Sequence, residues 1–279
     1  MPTAKRDRQR QGREARREAI RAAQRRAARK RQIIAAVVAV AVVFGIGLFI
    51  SRGGGGGGDG ASTTTTTLAT PPRAPPVAAG QTITGDTPCP AAGGSSPRAS
   101  SFEKAPPLCI TPGRSYTATF QTTEGNIDVA LDTTTTPGTA NNFVVLARYH
   151  YYDGTAIHRT DPSIEIIQGG SPSTQSADDP GPGYTITDEG SPPRSYREGD
   201  LVMARTGAPN SAGAQFFFVA GPAAGALDAQ GTYVTFGRVT AGLDVVKAVL
   251  GLHQADASTN LGGAPREVVL VERVTIGER

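Results

Sequence analysis

The chain has 279 residues, with 28 Lys and Arg against 24 Asp and Glu, 35 glycines, 21 prolines, two cysteines, three histidines and no tryptophan. Its net charge of +4 describes no real surface, because residues 1–31 carry 13 of the basic residues and only three acids (Asp7, Glu14, Glu18), leaving 15 basic against 21 acidic residues beyond them. Two cysteines and three histidines (His150, His158, His253) are too few for a structural metal cage of nitrogen and sulfur ligands, so neither a metal nor a cofactor is expected.

Residues 1–32 form a basic segment of Ala, Arg, Glu and Gln, good helix formers with no apolar stripe. Such a cluster attracts phosphate, either on nucleic acid or on anionic lipid beside a membrane. No base-reading module accompanies it, so the lipid reading is preferred and no specific nucleic acid is expected. Ile33 to Ile50 follow, 18 residues without a charge, flanked by Arg29-Lys30-Arg31 and Arg52. A helical span needs about 20 apolar residues, so 33–50 reads as a transmembrane helix. The rival readings are a buried helix and a signal peptide, but the basic region is long for a signal, and Gly45-Ile46-Gly47 leads into Leu, Phe and Ile rather than a small-x-small site. The charge bias places the N-terminus in the cytoplasm and everything after the span outside, a single-pass protein of the cell membrane.

Residues 51–80 hold a hexaglycine (Gly53–Gly58), a threonine run and four prolines (71, 72, 75 and 76), and read as a disordered linker. The glycine run is no phosphate cradle, since no Gly-Lys-Ser/Thr follows it. Residues 81–113 form an extension carrying Cys89 and Cys109. Both follow the span and no third thiol competes, so a disulfide is expected that folds Pro90 to Leu108 back on the domain behind it; two free thiols are the alternative.

Residues 114–277 change character. Tyr116, Ala118 and Phe120 alternate with polar neighbours, as do Ile127, Val129 and Leu131 after Glu124-Gly125-Asn126, which predicts a hairpin. Thr136-Pro137 predicts a helix start, with Ala140, Phe143, Val144 and Ala147 at helical spacing. Short apolar runs at 164–167, 201–204, 215–220 and 233–239 predict strands; Leu243, Val246, Val249 and Leu250 predict a second helix, and 268–276 a last strand. Short strands with two helices predict a mainly β fold, a closed barrel capped by helices.

Seven short motifs then stand in order: Tyr151-Tyr152-Asp153-Gly154-Thr155, His158-Arg159, Ile167-Gln168-Gly169-Gly170, Leu201-Val202-Met203-Ala204, Ala214-Gln215-Phe216-Phe217, Leu227-Asp228 and Phe236-Gly237-Arg238-Val239. Together they resemble the cyclophilin signatures, in a membrane-anchored bacterial form. The resemblance implies an eight-stranded antiparallel barrel with two capping helices, and an enzyme that interconverts cis and trans Xaa-Pro bonds in exported proteins. It assigns Arg159 to the twisted prolyl amide, Gln168 to the substrate backbone, and Gln215 to orienting Arg159 or the peptide. Phe217 becomes the floor of a proline pocket with Ile166, Leu227 and Tyr233 as walls, while Ala204 and Arg205 offer main-chain groups to an extended peptide. Ile164 and Glu165 occupy a stretch one residue longer than the family's, where an aromatic wall is usual, and Ala226 stands where the family often has tryptophan.

A cyclophilin-fold module that grips proline-containing segments with little turnover is the competing reading. A serine hydrolase is disfavoured, since no Gly-x-Ser-x-Gly elbow is present.

Overall fold

The computed structural model describes residues 70–190, 194–256 and 258–279, which fall in one compact unit, Thr67–Arg279. The basic segment, the expected span 33–50 and the linker up to residue 69 lie outside the described residues; among those described, no helix is long and apolar enough to cross a membrane.

In chain order the elements are β1 (Gln81–Ile83), β2 (Ala99–Phe102), β3 (Tyr116–Thr122), β4 (Gly125–Leu131), α1 (Pro137–Arg148), β5 (Thr155–Asp161), β6 (Ile166–Gly169), β7 (Asp200–Met203) and β8 (Phe216–Val219). A 3-10 segment (Pro222–Ala229) leads to β9 (Thr235–Ala241), α2 (Leu243–Gly251), β10 (His253–Ala255), β11 (Gly263–Pro265) and β12 (Leu270–Glu278). Hydrogen-bonded neighbours run β5-β12-β3-β4-β9-β7-β8-β6 and return to β5, so eight antiparallel strands close a barrel. Closure removes the unpaired edges that an open sheet would expose. β11 and β10 hang from β5 outside the ring.

The β3–β4 hairpin follows its alternation. Tyr116, Ala118 and Phe120 are buried between more exposed neighbours, and each pairs with an apolar residue of β4 (Tyr116 with Leu131, Ala118 with Val129, Phe120 with Ile127). Inside the barrel Phe120 packs against Phe143 of α1 and against Phe216 and Phe218 of β8, with ring centroids 5.6, 5.3 and 5.1 Å apart. The edge-to-face contacts with Phe216 and Phe218 add about 1 kcal/mol each to the burial of the rings themselves. α1 is buried from Thr139 to Arg148, whereas α2 buries Val246 and Val249.

The start of α1 departs from expectation. Thr136 sits at the cap with Pro137 behind it, but its side chain makes no capping bond and donates instead to the carbonyl of Asp132. Glu189, 50 residues away in the chain, supplies the cap: one carboxylate oxygen accepts from Gly138 N (2.8 Å), the other from Thr139 N and Oγ1 (both 2.6 Å). An anion there meets both the unsatisfied N–H groups and the positive end of the helix dipole. The barrel domain also runs slightly past 114–277, since Ser115 and Arg279 exchange both backbone hydrogen bonds.

Before the barrel, β1 and β2 form a two-stranded parallel sheet, and Cys89 and Cys109 are joined in a disulfide. The extension docks on the turn after α1 through Arg98, which donates to the carbonyls of Tyr151 and Asp153, and through His150, whose Nε2 lies 2.9 Å from the carbonyl of Gly94. Thr70 to Gly80 lack regular structure, yet this stretch is no free tether throughout: the carbonyl of Pro75 accepts from Gln175 Nε2, and Gly80 N donates to Ser100 Oγ.

Candidate active site

Antiparallel register puts the side chains of facing residues on one side of a sheet. Arg159 of β5 faces Gln168 of β6, Gln168 faces Phe217 of β8, and Phe217 faces Val202 of β7, so these four form one row. The alternate residues Ile167, Phe216 and Phe218 enter the barrel core, while Phe217, Ile166, Val202 and Val219 join Tyr196 and Ala224 in a separate apolar cluster flanked by Ile164, Ala204, Leu227 and Tyr233.

Arg159 reaches that outer side because β5 carries a bulge. Ile157 faces Gly169 and Arg159 faces the very next residue, Gln168, so His158 is an extra residue in the ladder. In a regular strand, with His158 taking a place in the ladder, Arg159 would share the face of Ile157, which is in the core. The extra residue is itself confined: both ring nitrogens of His158 are buried without a hydrogen-bond partner. Burial, and then the neighbouring Arg159 guanidinium, push its pKa down from 6.5 to about 4.

Three acceptors fix the guanidinium of Arg159. Nε donates to the carbonyl of Leu261 (2.6 Å), Nη1 to Gln168 Oε1 (3.0 Å) and Nη2 to Asp161 Oδ2 (2.8 Å). Asp161 is in turn held by Ser163, whose N–H and hydroxyl both donate to Oδ1. Gln168 Nε2 donates to Gln215 Oε1 (2.9 Å), and Gln215 Nε2 to the carbonyl of Ala177 (3.1 Å). Gln168 thus contacts the guanidinium directly, and Gln215 touches Gln168 rather than Arg159.

The nine residues singled out in the sequence (Arg159, Ile166, Gln168, Ala204, Arg205, Gln215, Phe217, Leu227 and Tyr233) all line one cleft of about 410 Å³. At its apolar end Tyr233 stands edge-on to Phe217 at 5.6 Å and is braced by Tyr196, whose hydroxyl accepts from Tyr233 N and donates to Tyr233 O. Main-chain binding by Ala204 is narrower than expected, since its N–H already donates to the carbonyl of Gln215. The side chain of Arg205 is bound to the carbonyls of Thr232, Thr206 and Ala208.

The longer stretch after Arg159 resolves into a turn in which Glu165 takes a left-handed φ of 46°. Its carboxylate points towards the 3-10 segment and accepts from Ala223 N (2.6 Å), so Ile164 lines the cleft and Glu165 does not. Sequence reading missed Asp161, Leu261 and Tyr196. Asp161 had a signal, an acid two residues along a strand from Arg159 and hence on its face; a backbone carbonyl such as that of Leu261 has none.

The barrel domain is similar to known proteins. The family model for cyclophilin type peptidyl-prolyl cis-trans isomerases matches residues 117–275. Peptidyl-prolyl cis-trans isomerase B of Bacillus subtilis is 38% identical over 134 residues, 47% of this chain and 88% of its own length. A peptidyl-prolyl cis-trans isomerase of Streptomyces antibioticus is 33% identical over 166 residues, 57% of this chain and 98% of its own length. A crystal structure of a Cryptosporidium parvum cyclophilin type isomerase superposes with a TM-score of 0.51 at 26% identity, covering 59% of this chain and 99% of that one. The chain belongs to the cyclophilin type peptidyl-prolyl cis-trans isomerase family, and it is an enzyme of that class.

Proposed function

We propose that this isomerase acts on Xaa-Pro bonds of exported proteins, anchored by residues 33–50 with the barrel domain outside the membrane and the basic N-terminus in the cytoplasm against anionic lipid. The proline ring lies over Phe217 between Ile166, Leu227 and Tyr233, and the flanking residues run along the cleft. A crystal form of the Cryptosporidium relative determined in the presence of the dipeptide Ala-Pro supports a short proline peptide as the unit of recognition.

Rotation about the prolyl amide is opposed by resonance, with a barrier of about 18–20 kcal/mol. No covalent step is needed. As the amide twists, the lone pair localises on the prolyl nitrogen, so a fixed donor aimed there stabilises the transition state more than the planar ground state. Arg159 is that donor. A guanidinium has five N–H groups, and three of those on Arg159 are bound, which leaves one on each terminal nitrogen for the substrate. The ion pair with Asp161 gives up part of the charge in return for a fixed aim.

The carrying observation is this guanidinium, immobilised beside the apolar floor of Phe217. Exchange NMR on an Xaa-Pro peptide tests it. Arg159→Ala should lower turnover by about 10²–10³ while the domain stays folded, and Arg159→Lys should also be poor, because an ammonium lacks the planar fork. Equal rates in wild type and Arg159→Ala would remove Arg159 from the mechanism.

A further inference from the structure

The family match begins at residue 117, so β1, β2 and the disulfide loop lie outside it. The last residue of β2 nevertheless touches residues that line the cleft. Phe102 is 2% exposed, its N–H donates to the carbonyl of Pro182 (2.7 Å), and its ring stands edge-on to Tyr184 at 6.1 Å. Its carbonyl comes so near Gly183 that a Cβ there would sit 2.5 Å away, and Gly183 itself has a left-handed φ of 102°. Pro182 and Tyr184 both line the cleft, on a wall distinct from the proline pocket.

That wall has little backbone ladder of its own. The stretch from Ser171 to Tyr184 contains no strand, and the next residues contribute one isolated bridge, Ile186 with Ala212. A loop without strand partners takes its position from what it touches. Gln175 and the Ala177 carbonyl tie down its first half, and two contacts hold its Pro182–Tyr184 end. Tyr184 donates its hydroxyl to Asn142 Oδ1 (2.7 Å), and Asn142 Nδ2 donates to the carbonyl of Gly213 across the cleft rim (2.7 Å). From the other side it is held by Phe102. The far end of the extension is fixed as firmly: Asn141, next to Asn142 on α1, accepts from the N–H groups of Cys109 and Ile110 and donates to the carbonyl of Pro107, and Cys109 is tied to Cys89.

We infer that the disulfide-closed extension is a specificity element of the isomerase, with Phe102 as the positioning residue that sets the Pro182–Tyr184 wall for the substrate residues flanking the proline. The inference rests on the cleft being the peptide groove. Its substrate class is the extended peptide, in which several residues beside the Xaa-Pro bond contribute to binding. Phe102 touches no reacting atom, so its removal should act on binding of long substrates and leave the chemistry alone.

The experiment measures kcat and KM for an extended Xaa-Pro peptide and for a capped Xaa-Pro dipeptide, with thermal unfolding recorded on each variant. Phe102→Ala should raise KM for the extended peptide roughly tenfold with kcat within about twofold, the pattern of lost uniform binding, and leave the dipeptide unchanged. Phe102→Leu should restore most of the loss. An unchanged KM for the extended peptide, or a fall in kcat shared by both substrates, would overturn the inference. Should Phe102→Ala fail to fold, reduction of Cys89–Cys109 in the wild-type protein decides the matter: the same selective rise in KM supports the inference and its absence overturns it. Phe217→Ala, measured alongside, separates the two levels. If Phe217→Ala weakens both peptides and Phe102→Ala weakens neither, only the role of the extension fails; if Phe217→Ala has no effect either, the groove assignment fails with it.

Discussion

Arg159 could do little for a twisting amide if its side chain were free to swing, and its three acceptors decide how little freedom it keeps. Asp161 should therefore matter although it touches no substrate. Asp161→Asn keeps the shape and loses the ion pair; it should lower kcat about tenfold, since small misplacements of a catalytic group are costly, and leave KM for the same peptide little changed. An unaltered kcat would show that Gln168 and Leu261 suffice. His158 carries a different consequence. Its folded pKa lies near 4 and its ordinary value is 6.5, so between these the unfolded chain takes up a proton that the folded domain refuses. Stability from this group is complete above pH 6.5 and is lost as pH falls towards 4. Denaturant titrations across that range should show a shallower decline for His158→Gln than for wild type. In the sequence, His158 and Arg159 were legible as a pair, but the roles of Gln168 and Gln215 were not, because both are glutamines and only distance tells which one meets the guanidinium.

At the level of elements, alternation revealed the β3–β4 hairpin and helical spacing revealed α1 and α2, although only α2 buries a single face and α1 is buried all round from Thr139 to Arg148. The bulge at His158 was hidden. Periodicity is read from apolar residues, and β5 has none after Ile157, so the phase shift made by the extra residue leaves no mark in the pattern. Glu189 was hidden too, because a cap supplied from 50 residues away has no local signature. Glu189→Gln keeps the acceptor on one side and loses the charge, and should lower unfolding free energy by about 1 kcal/mol in chemical denaturation. A change near zero would mean that Pro137 and the packing of Phe143 fix the helix start unaided. Glu165 was misplaced for a related reason: an inserted residue can turn either way, and its left-handed backbone sends the carboxylate to Ala223.

For the molecule as a whole, the mainly β barrel was legible and the small parallel sheet before it was not. β1 and β2 have three and four residues, too few for a pattern. Their disulfide closes a loop with a sequence separation of 20. Replacing both cysteines with serine should cost about 3 kcal/mol through the freedom regained by the unfolded chain, read as a lower denaturation midpoint. The proposed topology makes a separate prediction. Protease added to intact spheroplasts should digest the barrel domain if, as proposed, the Lys and Arg before Ile33 hold the N-terminus inside. Full protection until lysis would place the domain in the cytoplasm.

The closed barrel also has a direction in time. β12, the last element, fills the gap between β3 and β5, and Leu261, which holds Arg159, comes only shortly before it. A growing chain that has reached Phe217 has made Arg159, Gln168, Gln215 and Phe217, yet nothing closes the ring or clamps the guanidinium. Pairings this distant in sequence form slowly, on a scale of about milliseconds to seconds. Until they form, the chain is a prolyl isomerase without an active site, and the isomers of its own 21 prolines must be settled without its help.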